Sequence, residues 1–89
     1  SVTKTITAAG TTSVQTINKV AGSVNLAAAA TSVVVTNSLV NANSVIIGTV
    51  ASNDTTAKSV AIIPGSGLFT IYPNAATTAE TRVNWIVIN

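Results

Sequence analysis

Arg82-Val83-Asn84-Trp85-Ile86-Val87-Ile88-Asn89 alternates as an extended chain does, with Val83, Trp85 and Val87 on one side and Asn84, Ile86 and Ile88 on the other. Period two, carried largely by residues branched at Cβ, reads as a β-strand. The second side is nearly as apolar as the first. Ser44–Val50 behaves the same way, with Val45 and Ile47 opposed to Ile46 and Val50. In a small two-sheet sandwich the outer face of each sheet meets water, and clean apolar/polar alternation is expected. Strands apolar on both sides therefore predict that something beyond the chain's own core covers the second face.

The rest of the chain shares this bias. Val, Ile and Thr make up 37 of 89 residues, against three Leu and no Met, Cys or His. Stiff χ1 torsions suit a pleated sheet better than a helix. From Gly22 onward, short strands alternate with turn signals about every 8–12 residues, the pattern of a sandwich or barrel. The predicted strands are Ser23–Ala27, Ser32–Asn37, Ser44–Val50, Lys58–Ile63, Leu68–Tyr72 and Arg82–Asn89. Pro64-Gly65-Ser66-Gly67 reads as a hairpin turn. Leu26–Ala30 and Ala75–Glu80 carry helix-favouring Ala but are too short for a stable helix, and read as loops.

The first 20 residues look different. Val2, Lys4 and Ile6 alternate with Thr3, Thr5 and Thr7, then a run of small residues follows through Ser13. This predicts an extended arm and linker over residues 1–20 before a head domain over 21–89, with residues 1–13 making few contacts within that head. The fold expected is all-β: a small antiparallel β-sandwich, jelly-roll-like, with that N-terminal arm.

Size sharpens the point about covered faces. A chain of 89 residues buries only roughly 60–65% of its unfolded surface. Small domains usually compensate with disulfides, metals or association. Without Cys or His the first two routes lack their usual ligands, which leaves association. Only four basic residues (Lys4, Lys19, Lys58, Arg82) and two acids (Asp54, Glu80) are present. The bases are scattered rather than clustered, so no nucleic-acid surface is expected. No stretch approaches the about 20 apolar residues of a membrane helix, and the N-terminus has no signal-peptide core. Ser1 is the kind of residue before which an initiator Met is removed, so synthesis in the cytoplasm is expected.

Chemistry has few candidates. Asp54 lies in Asn53-Asp54-Thr55-Thr56, where Asp caps its own backbone. Glu80 and Arg82, two apart, share a face of an extended chain and are placed to pair as ions. A glycosidase-like carboxylate dyad would need a recessed site that so small a chain hardly encloses. Hydroxyls abound, but a nucleophile needs a base and there is no His. Lys58 and Ser59, as strand neighbours, point to opposite faces. No catalytic, cofactor-binding or metal-binding residue is expected. Phe69, Tyr72 and Trp85 are the only aromatics. Core packing and an interface role for Tyr72 and Trp85 are both open. The residues expected at an interface are Val2, Lys4, Ile6, Tyr72, Arg82, Trp85, Ile86 and Ile88.

Several stretches carry a resemblance. They are residues 22–40 (Gly-Ser-Val-Asn-Leu-Ala-Ala-Ala-Ala-Thr-Ser-Val-Val-Val-Thr-Asn-Ser-Leu-Val), Thr49–Asp54, Phe69-Thr70, and Asn74–Thr81 followed by Val83. Over roughly Gln15 to Asn89 the chain resembles a family of small virion proteins of tailed bacteriophages, and such chains resemble capsid decoration, or cement, proteins. The resemblance implies a β-sandwich or jelly-roll unit, a homotrimer on the capsid surface of the virion, and the major capsid protein as partner. The alternative within the particle is the receptor-binding tip of a trimeric tail fibre or spike, which would present an aromatic groove around Tyr72 or Trp85.

Overall fold

The computed structural model describes residues 3–89. Every regular element among them is a strand: β1 (Lys4–Ile6), β2 (Gln15–Thr16), β3 (Ala21–Leu26), β4 (Val33–Thr36), β5 (Val45–Val50), β6 (Val60–Gly65), β7 (Leu68–Pro73) and β8 (Thr81–Ile88). They form two four-stranded sheets, β1-β3-β8-β5 and β2-β4-β7-β6. The strands read from alternation in the head region are all present, within a residue or two at each end. Ser66-Gly67 makes the tight turn between β6 and β7, with Gly67 in the left-handed region at φ 73° that its missing Cβ permits.

Pairing in the head is nested. β3 lies beside β8, β4 beside β7, and β5 packs against β6 where the two sheets meet. The chain thus folds as a long hairpin doubled over itself, each inner pair enclosed by the next. β3/β8, β5/β8, β4/β7 and β6/β7 are antiparallel.

The N-terminal segment departs from expectation. Lys4–Ile6 pairs parallel to β3, with Thr5 opposite Gly22, and Gln15–Thr16 pairs parallel to β4. Each sheet is therefore mixed rather than purely antiparallel. The reading of residues 1–20 as an arm set apart from a 21–89 head is corrected for residues 4–17. Asn25, buried on β3, donates from Nδ2 to the carbonyls of Ala8 (3.0 Å) and Thr11 (3.1 Å). Glu80 accepts from the Gly10 N–H at 2.8 Å. Ile17 is buried in the core. A buried amide and a core isoleucine hold the segment down, and neither contact can be inferred from local pattern. Gly22 makes the approach possible, since a Cβ there would stand 2.6 Å from the Thr5 carbonyl oxygen.

Between the sheets lie Val24, Leu26, Val83, Trp85 and Val87 from one side and Val33, Val35, Phe69 and Ile71 from the other. Phe69 and Trp85 meet edge to face across the layer, centroids 4.9 Å apart and planes at 67°, the arrangement the ring quadrupoles favour. The indole has room because Gly22, opposite it on β3, lacks a Cβ, which would stand 2.8 Å from the ring. Ile62 of β6 occupies the space a Cβ on Gly48 would need. The indole Nε1–H, buried in this packing, has no hydrogen-bond partner among the described residues.

Candidate functional site

The outer face of the first sheet follows from register. Residues opposite each other in adjacent strands point to the same face. With Val83, Trp85 and Val87 turned inward, Arg82, Asn84, Ile86 and Ile88 of β8 face outward. Val45 sits opposite Ile88, and Ile47 opposite Ile86. These two cross-strand pairs leave four branched side chains on the surface: Val45 55% exposed, Ile47 53%, Ile86 36% and Ile88 48%. A shallow groove of about 230 Å³ runs beside them, bordered by Ile47, Thr49, Asn84 and Ile86. Single exposed apolar residues are ordinary, but adjacent ones on a flat sheet form a patch that calls for an explanation.

Five of the residues expected at an interface come together on this face. Ile86 and Ile88 form half of the apolar patch. Arg82 lies on the same side of β8, half-buried, and Lys4 and Ile6 occupy the exposed edge strand β1. Val2 lies outside the described residues. Tyr72 is 45% exposed but faces outward from the second sheet, opposite Ala61 on β6, and so belongs to the other side of the molecule. Trp85 is corrected from the interface set to the core, one of the two roles its sequence leaves open: it is 3% exposed and meets Phe69 edge to face. Tyr72 and Trp85 accordingly form no joint aromatic surface. Sequence reasoning left Val45 and Ile47 out of the interface set. The signal was present, since both belong to a strand apolar on its two sides, but only the pairing with β8 shows them adjoining Ile86 and Ile88.

The carboxylates are structural. Asp54 is buried and caps its own turn as expected, with Oδ2 accepting from the N–H groups of Thr56 (3.1 Å) and Ala57 (2.9 Å). It also reaches a loop that local reading does not join to it. Oδ1 accepts from the Thr78 hydroxyl (2.7 Å) and the Ala79 N–H (3.1 Å). The Ala57 N–H above all, then the Thr78 hydroxyl, hold this carboxyl well below the usual carboxylate range. Every donor that touches it is a backbone amide or a threonine hydroxyl of one of two loops, so Asp54 acts as a clasp between the β5–β6 and β7–β8 loops. Glu80 is engaged by Gly10, while Arg82 Nε donates to Asn84 Oδ1 at 3.2 Å. The ion pair expected between Glu80 and Arg82 is replaced by these two contacts. Among the described residues no three His, Cys, Asp or Glu side chains gather as metal ligands would. Nor is there among them a helix long and apolar enough to cross a membrane.

No family model matches the chain, and neither a curated protein nor a solved structure does.

Proposed function

We propose that this chain is a non-enzymatic structural virion protein: a capsid decoration, or cement, protein that stabilises a tailed-bacteriophage head by binding across major capsid subunits. It is made in the host cytoplasm, works as a homotrimer on the capsid surface, and uses neither nucleic acid nor membrane as a partner. The observation that carries this reading is the apolar patch of Val45, Ile47, Ile86 and Ile88 on the outer face of the first sheet. The nested strand order of β3–β8 supports a jelly-roll-like unit of the kind the sequence resemblance implies, with β1 and β2 added as parallel edges.

Magnitudes favour a role in a lattice. Covering a half-exposed Val or Ile contributes about 1 kcal/mol, so the four together supply about 4 kcal/mol. Taken alone that corresponds to roughly millimolar affinity, before the costs of association. Such a surface is effective when many copies act together, as a trimer on a repeating shell does.

The test is co-sedimentation of the protein with purified phage shells and, separately, with host cells. The expected result is saturable binding to shells, lost in an Ile47→Lys, Ile86→Lys double variant that keeps its fold. Binding to cells and not to shells would instead favour a receptor-binding tip.

A further inference from the structure

The outer face of the first sheet has a second feature toward its β1 edge, across β3 from the apolar patch and sharing Asn84 with the groove beside it. β3 runs between β1 and β8, and its outward residues there, Ala21 and Ser23, are small. The longer side chains of Lys4 and Ile6 on one flank, and of Arg82 and Asn84 on the other, rise around them and enclose a cavity of about 180 Å³. The chain has four basic residues and two acidic ones. Two of the basic residues line this single cavity, and neither acid does. Both acids are committed elsewhere, to amides and hydroxyls of loops.

Two details give the cavity a chemical preference. Ser23 is 1% exposed, and its hydroxyl on the cavity floor has no hydrogen-bond partner among the described residues. A buried hydroxyl without a partner costs free energy that an acceptor arriving from outside would recover. Arg82 donates from Nε to Asn84 Oδ1, which steadies the guanidinium and leaves its two terminal nitrogens free to act as a fork. Ile6 and Ala21 complete an apolar wall beside these donors.

We propose that this cavity binds a carboxylate carried on a short aliphatic stem. Arg82 and Lys4 hold the carboxylate, the Ser23 hydroxyl donates to it, and Ile6 and Ala21 pack against the stem. The stem distinguishes this ligand from inorganic phosphate, which satisfies the cations but leaves the apolar wall wet. The carboxylate can come from a free small molecule or from an acidic side chain presented by another protein.

Proton–nitrogen correlation spectra of the full chain, recorded at low ionic strength, test this directly. Arg82 is the sole arginine, so its Nε–H is a unique reporter, supported by the backbone amides of Ser23 and Asn84. Sodium butyrate is expected to shift all three saturably, and the neutral isostere butyramide is not. Lys4→Gln should weaken binding about tenfold, the scale of one charge-assisted hydrogen bond, and Arg82→Gln, followed on the backbone amides, should abolish it. A glutamate blocked at both backbone ends distinguishes the source. Binding as tight as butyrate marks a protein side chain, and binding ten times weaker marks a free acid. A linear, non-saturating shift, an equal response to butyramide, or tighter binding of inorganic phosphate would overturn the proposal. So would unchanged binding in either variant once its spectrum shows an intact fold. Shell binding through the apolar patch is a separate readout, and Lys4→Gln leaves that patch whole.

Discussion

Along β8 neighbouring residues of similar apolarity meet opposite fates. Val83, Trp85 and Val87 are buried against the second sheet, while Ile86 and Ile88 stay on the surface beside Val45 and Ile47. Hydropathy does not separate the two sets. What separates them is the sheet that faces one side and not the other. The loop end makes the converse point, since Asp54 is charged and buried because amides and hydroxyls from two loops converge on it. Burial in this molecule follows the supply of partners, and side-chain type alone does not predict it.

The contrast breaks most visibly at the inner face. Phe69→Ala removes the ring that Trp85 meets edge to face and should cost about 3–5 kcal/mol in denaturant unfolding. Ile47→Ala on the outer face should change stability by no more than about 0.5 kcal/mol. Comparable losses at both positions would mean that the outer strip is already covered in the isolated chain. Trp85→Phe should cost far less than the loss of Phe69, because it sheds an indole N–H that has no partner among the described residues.

Asp54→Asn probes the polar clasp. The folded-state pKa of Asp54 lies below its ordinary value of 3.8. Its stabilisation is therefore complete above that value and is lost as pH falls through the lower folded value. Unfolding measured from pH 7 to pH 2 should show the native protein weakening on the acid side. The Asn variant should start less stable and show a flatter acid limb, and parallel curves would exclude Asp54 as the source.

A subtler break lies where the two sheets approach most closely. Gly48→Ala sets a methyl against the Ile62 side chain and should cost about 1–3 kcal/mol. Ile62→Val removes the terminal methyl in conflict, so the double variant should recover part of that loss, a coupling that a double-mutant cycle measures. Strict additivity would show that the clash is relieved some other way. The smallest expected effect on stability belongs to Ile86→Thr, within about 0.5 kcal/mol. The same change should weaken association with shells, so stability and docking respond to opposite faces of one strand.

Much of this was legible in advance for a definite reason. Alternation is local, so the strand at Arg82–Asn89, the hairpin turn at Ser66-Gly67 and the Asp54 cap all follow from neighbours within a few residues. The surplus of apolar strand faces was equally plain, and with it Ile86 and Ile88 as surface candidates. Trp85 leaves the interface set because its burial depends on Gly22 in a neighbouring strand and on Phe69 in the other sheet. Val45 and Ile47 were missed because their adjacency to Ile88 and Ile86 is a matter of register.

By itself, then, the order of residues determined that the chain would be all strand, where it would turn, and that it would carry two apolar faces where one suffices. The tertiary structure alone decided which face turned inward, that Lys4–Ile6 and Gln15–Thr16 join the sheets as parallel edges, that Asp54 clasps a loop 24 residues away, and that Lys4 and Arg82 flank Ser23. Period two reports that a strand has two sides without saying which is the inner one. That choice belongs to contacts between segments distant in sequence.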